Sequence, residues 1–215
     1  LVSASGGGQM DDIAVRQRIL ELSLQRFLAA GFRGVRTDEI AVAAGISKKT
    51  LYRLFRDKRQ ILWEAVRMHL SRIDADLSRV FDGSDAAFPV QFLSLLNTIK
   101  NYLTPVGTPL LEDLVRSVPE IWDELENFRS TRVFPRFEAM IRQGIADGHF
   151  RPEIDPKLFT RILIDVIQTV ATPRKITAYE TSISTVFRYV QIIFFEGILT
   201  ESGRTRMDAA NALRP

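Results

Sequence analysis

The stretch that most constrains this 215-residue chain is Thr37 to Lys58, TDEIAVAAGISKKTLYRLFRDK. It reads as two short helices joined by a tight turn. Thr37 is placed to cap the first helix, its hydroxyl accepting an orphan backbone N–H. Asp38 and Glu39 fall in the first turn, where carboxylates suit the positive end of the helix dipole. Ile40, Ala41 and Ala44 form an apolar stripe. Gly45 ends the helix by supplying the positive φ that a side chain resists. Ser47 caps the next helix, and Leu51, Leu54 and Phe55 give it a buried face. Lys48, Lys49, Thr50, Tyr52, Arg53 and Arg56 are left outside.

A helix, a glycine turn and a second helix with a cationic, hydroxylic outer face make the pattern of a helix-turn-helix. In such a motif the second helix lies in the DNA major groove, its N-terminal residues nearest the base edges. Spacing alone leaves an ordinary pair of surface helices with solvated lysines equally open. Charge placement favours the DNA reading. Residues 11–60 hold 11 Lys and Arg against 6 Asp and Glu, a balance of +5, and the rest of the chain holds 18 against 20, a balance of −2. A basic front on a slightly acidic back suits a nucleic-acid reader fused to another function.

From about Ile19 to Leu62 the residues resemble the DNA-binding domain of the TetR family, the tetracycline-repressor-like bacterial regulators. The likeness rests on Phe27, Gly31 and Phe32, then Thr37, Ile40-Ala41, Ala44-Gly45-Ile46-Ser47-Lys48, Thr50-Leu51-Tyr52, Phe55 and Lys58. Lys49 departs from it, standing where the family commonly has a small residue such as glycine. The added cation brings a phosphate attraction or a base contact, so no operator sequence carries over. The resemblance implies that Thr37, Tyr52 and Lys58 fix register through phosphates. Ser47, Lys48, Lys49, Thr50 and Arg53 then lie nearest the bases, with Lys49 or Arg53 suited to a guanine edge.

No strand pattern or internal repeat stands out, so the expected fold class is all-α, with about nine helices in two parts. An N-terminal three-helix helix-turn-helix DNA-binding domain precedes a C-terminal helical ligand-binding and dimerisation domain. The expected divisions are a flexible arm over 1–10, the DNA-binding domain over 11–60, the second domain over 61–201 and a flexible tail over 202–215. The helix starting at Asp57 or Lys58 runs to about Phe81. At about 1.5 Å per residue it is more than 30 Å long, and so passes from one domain into the next. A bend is expected near Arg132–Pro135.

The last two long helices, Asp155–Ala171 and Tyr179–Thr200, are apolar on more than one face. A helix apolar nearly all round is covered on both sides, and in a chain this short the second cover is another copy or else the core of a monomer. The resemblance implies a four-helix dimer interface, placed here on Phe159, Ile162, Val166, Val186, Phe187, Val190 and Phe194. The middle helices are rich in large apolar groups. Most of these read as core, and the family implies a small-molecule pocket among them. The candidate liners are His69, Phe92, Asn97, Asn101, Trp122, Phe128, Phe137 and Gln168.

Catalysis finds no support. His69 and His149 stand far apart, with His149 read as exposed in a loop. There is no HExxH, GxSxG or Walker sequence, and no cysteine to supply a thiolate, a disulfide or a cysteine–zinc site. No cofactor or metal is expected, and the chain is read as no enzyme. No run of about 18 apolar residues or signal-peptide layout occurs, so no membrane partner is expected and a cytoplasmic setting is. The expected partners are double-stranded operator DNA, a second copy of the chain and an unidentified small-molecule effector. The alternative is a helical ligand-binding or protein-interaction module without specific DNA binding.

Overall fold

The computed structural model describes residues 6–82, 86–170 and 172–212, and among these the chain is helical throughout. The order is α1 (Gly6–Gly34), α2 (Thr37–Ala44), α3 (Lys48–Leu54), α4 (Lys58–Asp82), α5 (Phe88–Leu103), α6 (Thr108–Ser117), α7 (Pro119–Phe128), a π-helical turn (Arg129–Val133), α8 (Phe134–Ala146), α9 (Pro156–Val170), α10 (Pro173–Ala178), α11 (Ile183–Ile198) and α12 (Glu201–Ala212). The bend expected near Arg132–Pro135 is the π turn. Pro135 has no N–H to donate, and the Phe134 N–H reaches back five residues to the Arg129 carbonyl.

Two compact units divide the chain: Leu1–Ser71 with Pro105–Asp123, and Arg72–Thr104 with Glu124–Pro215. This corrects the expected boundary after residue 60. Helix α6 belongs with the first unit because it packs on α1. The contact is built at Gly31, where φ is +77° and α1 kinks. A Cβ there would stand 2.8 Å from Asp113 Oδ2 and 2.9 Å from the Pro109 backbone, so only glycine fits. Asp113, only 3% exposed, accepts the Arg33 backbone N–H at 2.7 Å and its Nε–H at 2.6 Å. The Gly107 N–H donates to the Leu28 carbonyl at 2.8 Å.

In the first unit, Ile19, Phe27, Ile40, Leu51, Phe55, Ile61 and Leu62 form a fully buried core. Phe27 packs there as its helical period requires, and the Phe32 ring lies 6.1 Å from it. The arm expected over residues 1–10 is helical from Gly6, and residues 1–5 lie outside the described residues.

The second unit is built on an aromatic cluster. Phe92 meets Phe150 and Phe195 edge-on at 5.2 and 4.9 Å, and Phe159 approaches Phe194 at 5.9 Å and Phe195 at 6.1 Å. The segment 148–151 is fastened to the end of α11 by a bridge between Phe150 and Leu199 and by Arg151 N–H donating to the Ile198 carbonyl at 2.9 Å. The tail expected from residue 202 is instead helix α12. Its Gly203, Met207 and Ala210 are buried, and it packs on α5.

His149, expected in solvent, is buried and stacked on the Phe88 ring at 4.7 Å. Burial pushes its pKa below the ordinary 6.5, the positive Arg206 adds to this and Asp147 opposes it. The folded state therefore holds His149 neutral, and unfolding lets it take a proton. Its contribution to stability is complete above about pH 6.5 and declines as pH falls below that. Denaturation of His149→Phe is accordingly expected to show a shallower loss of stability than wild type between pH 7.5 and pH 5. Equal losses would mean that the imidazole protonates freely in the fold.

Candidate nucleic-acid interface

The helix-turn-helix forms as its sequence dictates. Gly45 closes α2 at φ +69°, its N–H reaching the Val42 carbonyl at 3.1 Å. Ser47 caps α3, with Oγ accepting the Thr50 N–H at 3.0 Å and lying 2.9 Å from Thr50 Oγ1. Thr37 is not a cap, which corrects the expectation. It is the first residue of α2, following Arg36 at the cap position. The Glu39 carboxylate reaches back to the Arg36 N–H at 3.4 Å instead. The Thr37 hydroxyl lies 3.1 Å from the Tyr52 hydroxyl, joining two of the three residues expected to touch phosphates.

Ser47, Lys48, Lys49, Tyr52 and Arg53 are all exposed, and Thr50 is half-buried. Lys48 and Arg53 are nevertheless held within the chain. Lys48 Nζ lies 2.6 Å from Asp38 Oδ1, and Arg53 grips Asp12 with both terminal nitrogens, at 2.7 and 2.8 Å. Among the described residues no carboxylate holds Lys49, which leaves it as the unneutralised cation of α3.

Lys58 departs from its expected role. Its ammonium donates to the carbonyls of Phe32 at 2.8 Å and Val35 at 2.9 Å, and it lies 4.3 Å from the Phe32 ring centroid. Partial burial pushes its pKa down, against the attraction of Asp113. Two of its three donors thus tie the α1–α2 connection to the start of α4, so it is no free surface cation waiting for a phosphate. Lys58→Met is expected to lower the stability of the first unit by about 1–2 kcal/mol, because two partly buried carbonyls lose their donor. The salt dependence of DNA binding should stay as it is. A slope shallower by about 0.9 would return Lys58 to the phosphate contacts.

A second tie escaped the sequence. Arg16 is half-buried. It donates to both Glu64 carboxylate oxygens, at 2.7 Å for Oε2, and to the Leu54 carbonyl at the end of α3, and it lies 4.2 Å from the Phe55 ring centroid. It therefore holds α1, α3 and α4 in one arrangement. Only the separation of Arg16 and Glu64, 48 residues apart, hid the pair.

The residues expected to line a pocket are divided between the two units. His69 and Trp122 are half-buried in the first unit. In the second unit, Phe92 and Phe137 pack in the aromatic core, Phe128 is half-buried, and Asn97 and Asn101 are exposed on α5. The side chain of Gln168 lies outside the described residues. The residues expected at an interface between copies divide by helix face. Phe159, Phe187 and Val190 are buried within the unit, which corrects their assignment. Ile162 is exposed, and Val166, Val186 and Phe194 are half-buried around a nearly wholly apolar recess of about 390 Å³ on α9 and α11.

A three-helix head that presents a capped, cationic second helix beyond a left-handed glycine defines a helix-turn-helix DNA-binding regulator. Residues 19–65 match the pattern described as bacterial regulatory proteins, tetR family. The transcriptional repressor KstR2 of Mycolicibacterium smegmatis is 25% identical over 157 residues, covering 70% of this chain and 74% of that protein. The putative mycofactocin biosynthesis regulator MftR of Mycobacterium tuberculosis is 36% identical over 62 residues, 29% of this chain and 31% of its own length. A TetR regulator from Chloroflexus aurantiacus superposes on 89% of this chain and 100% of its own, with a TM-score of 0.65 at 19% identity. Residues 19–65 thus carry the tetR-family pattern, and the chain is similar over most of its length to regulators of that family. It acts by binding DNA and is not an enzyme. Among the described residues no helix is long and apolar enough to cross a membrane.

Proposed function

We propose that the protein is a cytoplasmic, ligand-responsive repressor that binds a pseudo-palindromic operator as a homodimer and responds to a small, largely apolar effector. The observation that carries this reading is the exposed face of α3, where Ser47, Lys49 and Tyr52 stand clear of a head held rigid from behind by Arg16 and Glu64. Regulators of this family bind operators as dimers and respond to small molecules. The exposed apolar side chains of α9 and α11, among them Leu158, Ile162, Tyr189 and Ile193, support the same assembly here. The effector acts by favouring one arrangement of the paired heads over the other, which requires a difference in its affinity for the two.

Selection from random duplex DNA tests the reading. The expected product is a two-fold symmetric consensus with half-sites about 10–10.5 base pairs apart, or a multiple of that. Duplexes retained without any consensus and lost as salt rises would leave only a basic surface. Lys49→Ala is expected to relax preference at one base pair of each half-site, where discrimination falls by about 1–3 kcal/mol. A uniform loss across sequences would place Lys49 on the phosphates.

A further inference from the structure

Helix α3 carries three cations, and the pair that holds Arg53 is not explained by folding. Asp12 stands 41 residues earlier in the chain, on α1, so the contact is not a by-product of helical spacing. Both side chains are about half exposed, 57% for Arg53 and 42% for Asp12. Pairs so open to water contribute little to stability. The geometry is what a phosphate presents, with two parallel N–H···O bonds at 2.7 and 2.8 Å filling the guanidinium fork. The hydrogen bonds from Arg53 also hold Asp12 below the usual carboxylate range, so the carboxylate stays charged at neutral pH.

We infer that Asp12 is a specificity-determining residue, a carboxylate that withholds Arg53 from DNA phosphates while leaving it able to serve a neutral base edge. This rests on reading α3 as the recognition helix. Arginine has five N–H donors, and Asp12 takes two. A guanine edge offers neutral acceptors at O6 and N7, which the remaining donors can serve while Arg53 stays beside its carboxylate. A phosphate brings a second negative charge against Asp12 and is repelled. Non-specific DNA, which offers only its backbone, therefore gains nothing from Arg53. A matched half-site gains a base contact from a side chain already held in place, with little entropy left to lose.

The test compares wild type, Asp12→Asn, Arg53→Gln and the double variant, using fluorescence anisotropy on a random-sequence duplex and on the selected consensus over a range of salt. Thermal melts confirm that all four fold. Asp12→Asn is expected to bind the random duplex several-fold more tightly, with a salt slope steeper by about 0.9 because Arg53 joins the phosphate contacts. Its preference for the consensus should narrow. In the Arg53→Gln background the same change should leave the slope where it was. Two results overturn the inference while leaving the DNA-reading assignment standing. One is a wild-type slope and affinity in Asp12→Asn. The other is an equal gain with Gln at position 53, which would mark a general charge effect. A wild-type chain that prefers no duplex to any other overturns the DNA-reading assignment and the inference with it.

Discussion

Exchanging Ile193 for glutamate is expected to leave the fold intact, give monomers in sedimentation velocity, and lower operator affinity at least about 100-fold, because one head then binds without the other. Ile193 is 68% exposed on α11, and Leu158, Ile162, Tyr189 and Ile192 stand exposed on the same two helices. So many large apolar groups in water mark a surface that another surface covers. A carboxylate set among them loses its hydration when the copies meet. Phe187 makes the contrast. It is 7% exposed inside its own unit, so Phe187→Glu should unfold that unit, and loss of the dimer would then say nothing about the interface. Circular dichroism separates the two cases. Dimers that persist in a folded Ile193→Glu would move the interface away from α11.

The same contrast shows what could be read from residues alone. The period of α11 shows apolar groups on several sides, but it cannot say which side faces the chain's own core. Phe187, Val190 and Ile193 are neighbours in sequence, and the packing of α9 and α5 decides that the first two are covered and the third is not. The helix-turn-helix was legible because its decisions are local. The left-handed Gly45 and the Ser47 cap act within three or four residues. Thr37 was misread by one position for a related reason. Its hydroxyl has two partners within reach, a backbone N–H in α2 and the Tyr52 hydroxyl 15 residues on, and only the fold shows the second.

Lys58 was legible as a charge but not as a tie. Its partners are carbonyls 26 and 23 residues upstream, and every residue has a carbonyl, so no pattern announces them. The same holds for α6. Its sequence is that of any short amphipathic helix, and the buried Asp113 that fastens it to α1 meets its partner 80 residues away. The aromatic side chains of the middle helices read mostly as packed core, with a lined pocket among them implied by the family resemblance. Phe92 and Phe137 took the first course, since contacts with other rings, edge-on for Phe92 and tilted for Phe137, satisfy them without a ligand.

Helix α12 went unrecognised because two of the three residues on its buried face, Gly203 and Ala210, are small, and it leads to the second large effect. Gly203→Ala is expected to destabilise the second unit by about 2–3 kcal/mol, the scale of an overpacked core. At that size of unit the melting temperature should fall by roughly 5–12 °C. An added Cβ would stand 2.0 Å from the His149 carbonyl oxygen and within 3.0 Å of two further backbone atoms of His149. That backbone cannot yield. The N–H groups of His149 and Phe150 both donate to the Gly144 carbonyl, at 2.8 and 3.0 Å, and the His149 carbonyl accepts the Thr200 N–H at 3.0 Å. The helix must therefore lift, breaking the Gly203 N–H to Thr200 Oγ1 bond of 2.9 Å and uncovering Met207 and Ala210. Intrinsic propensity acts the other way, since alanine favours a helix over glycine by about 1 kcal/mol. A tail that merely frays would thus gain helix from this substitution and keep its melting temperature. Thr205→Ala, on the exposed side of α12, serves as the control and should shift stability by no more than about 0.5 kcal/mol. If both variants melt with the wild type, α12 does not cover the core and the reading of a flexible tail is restored.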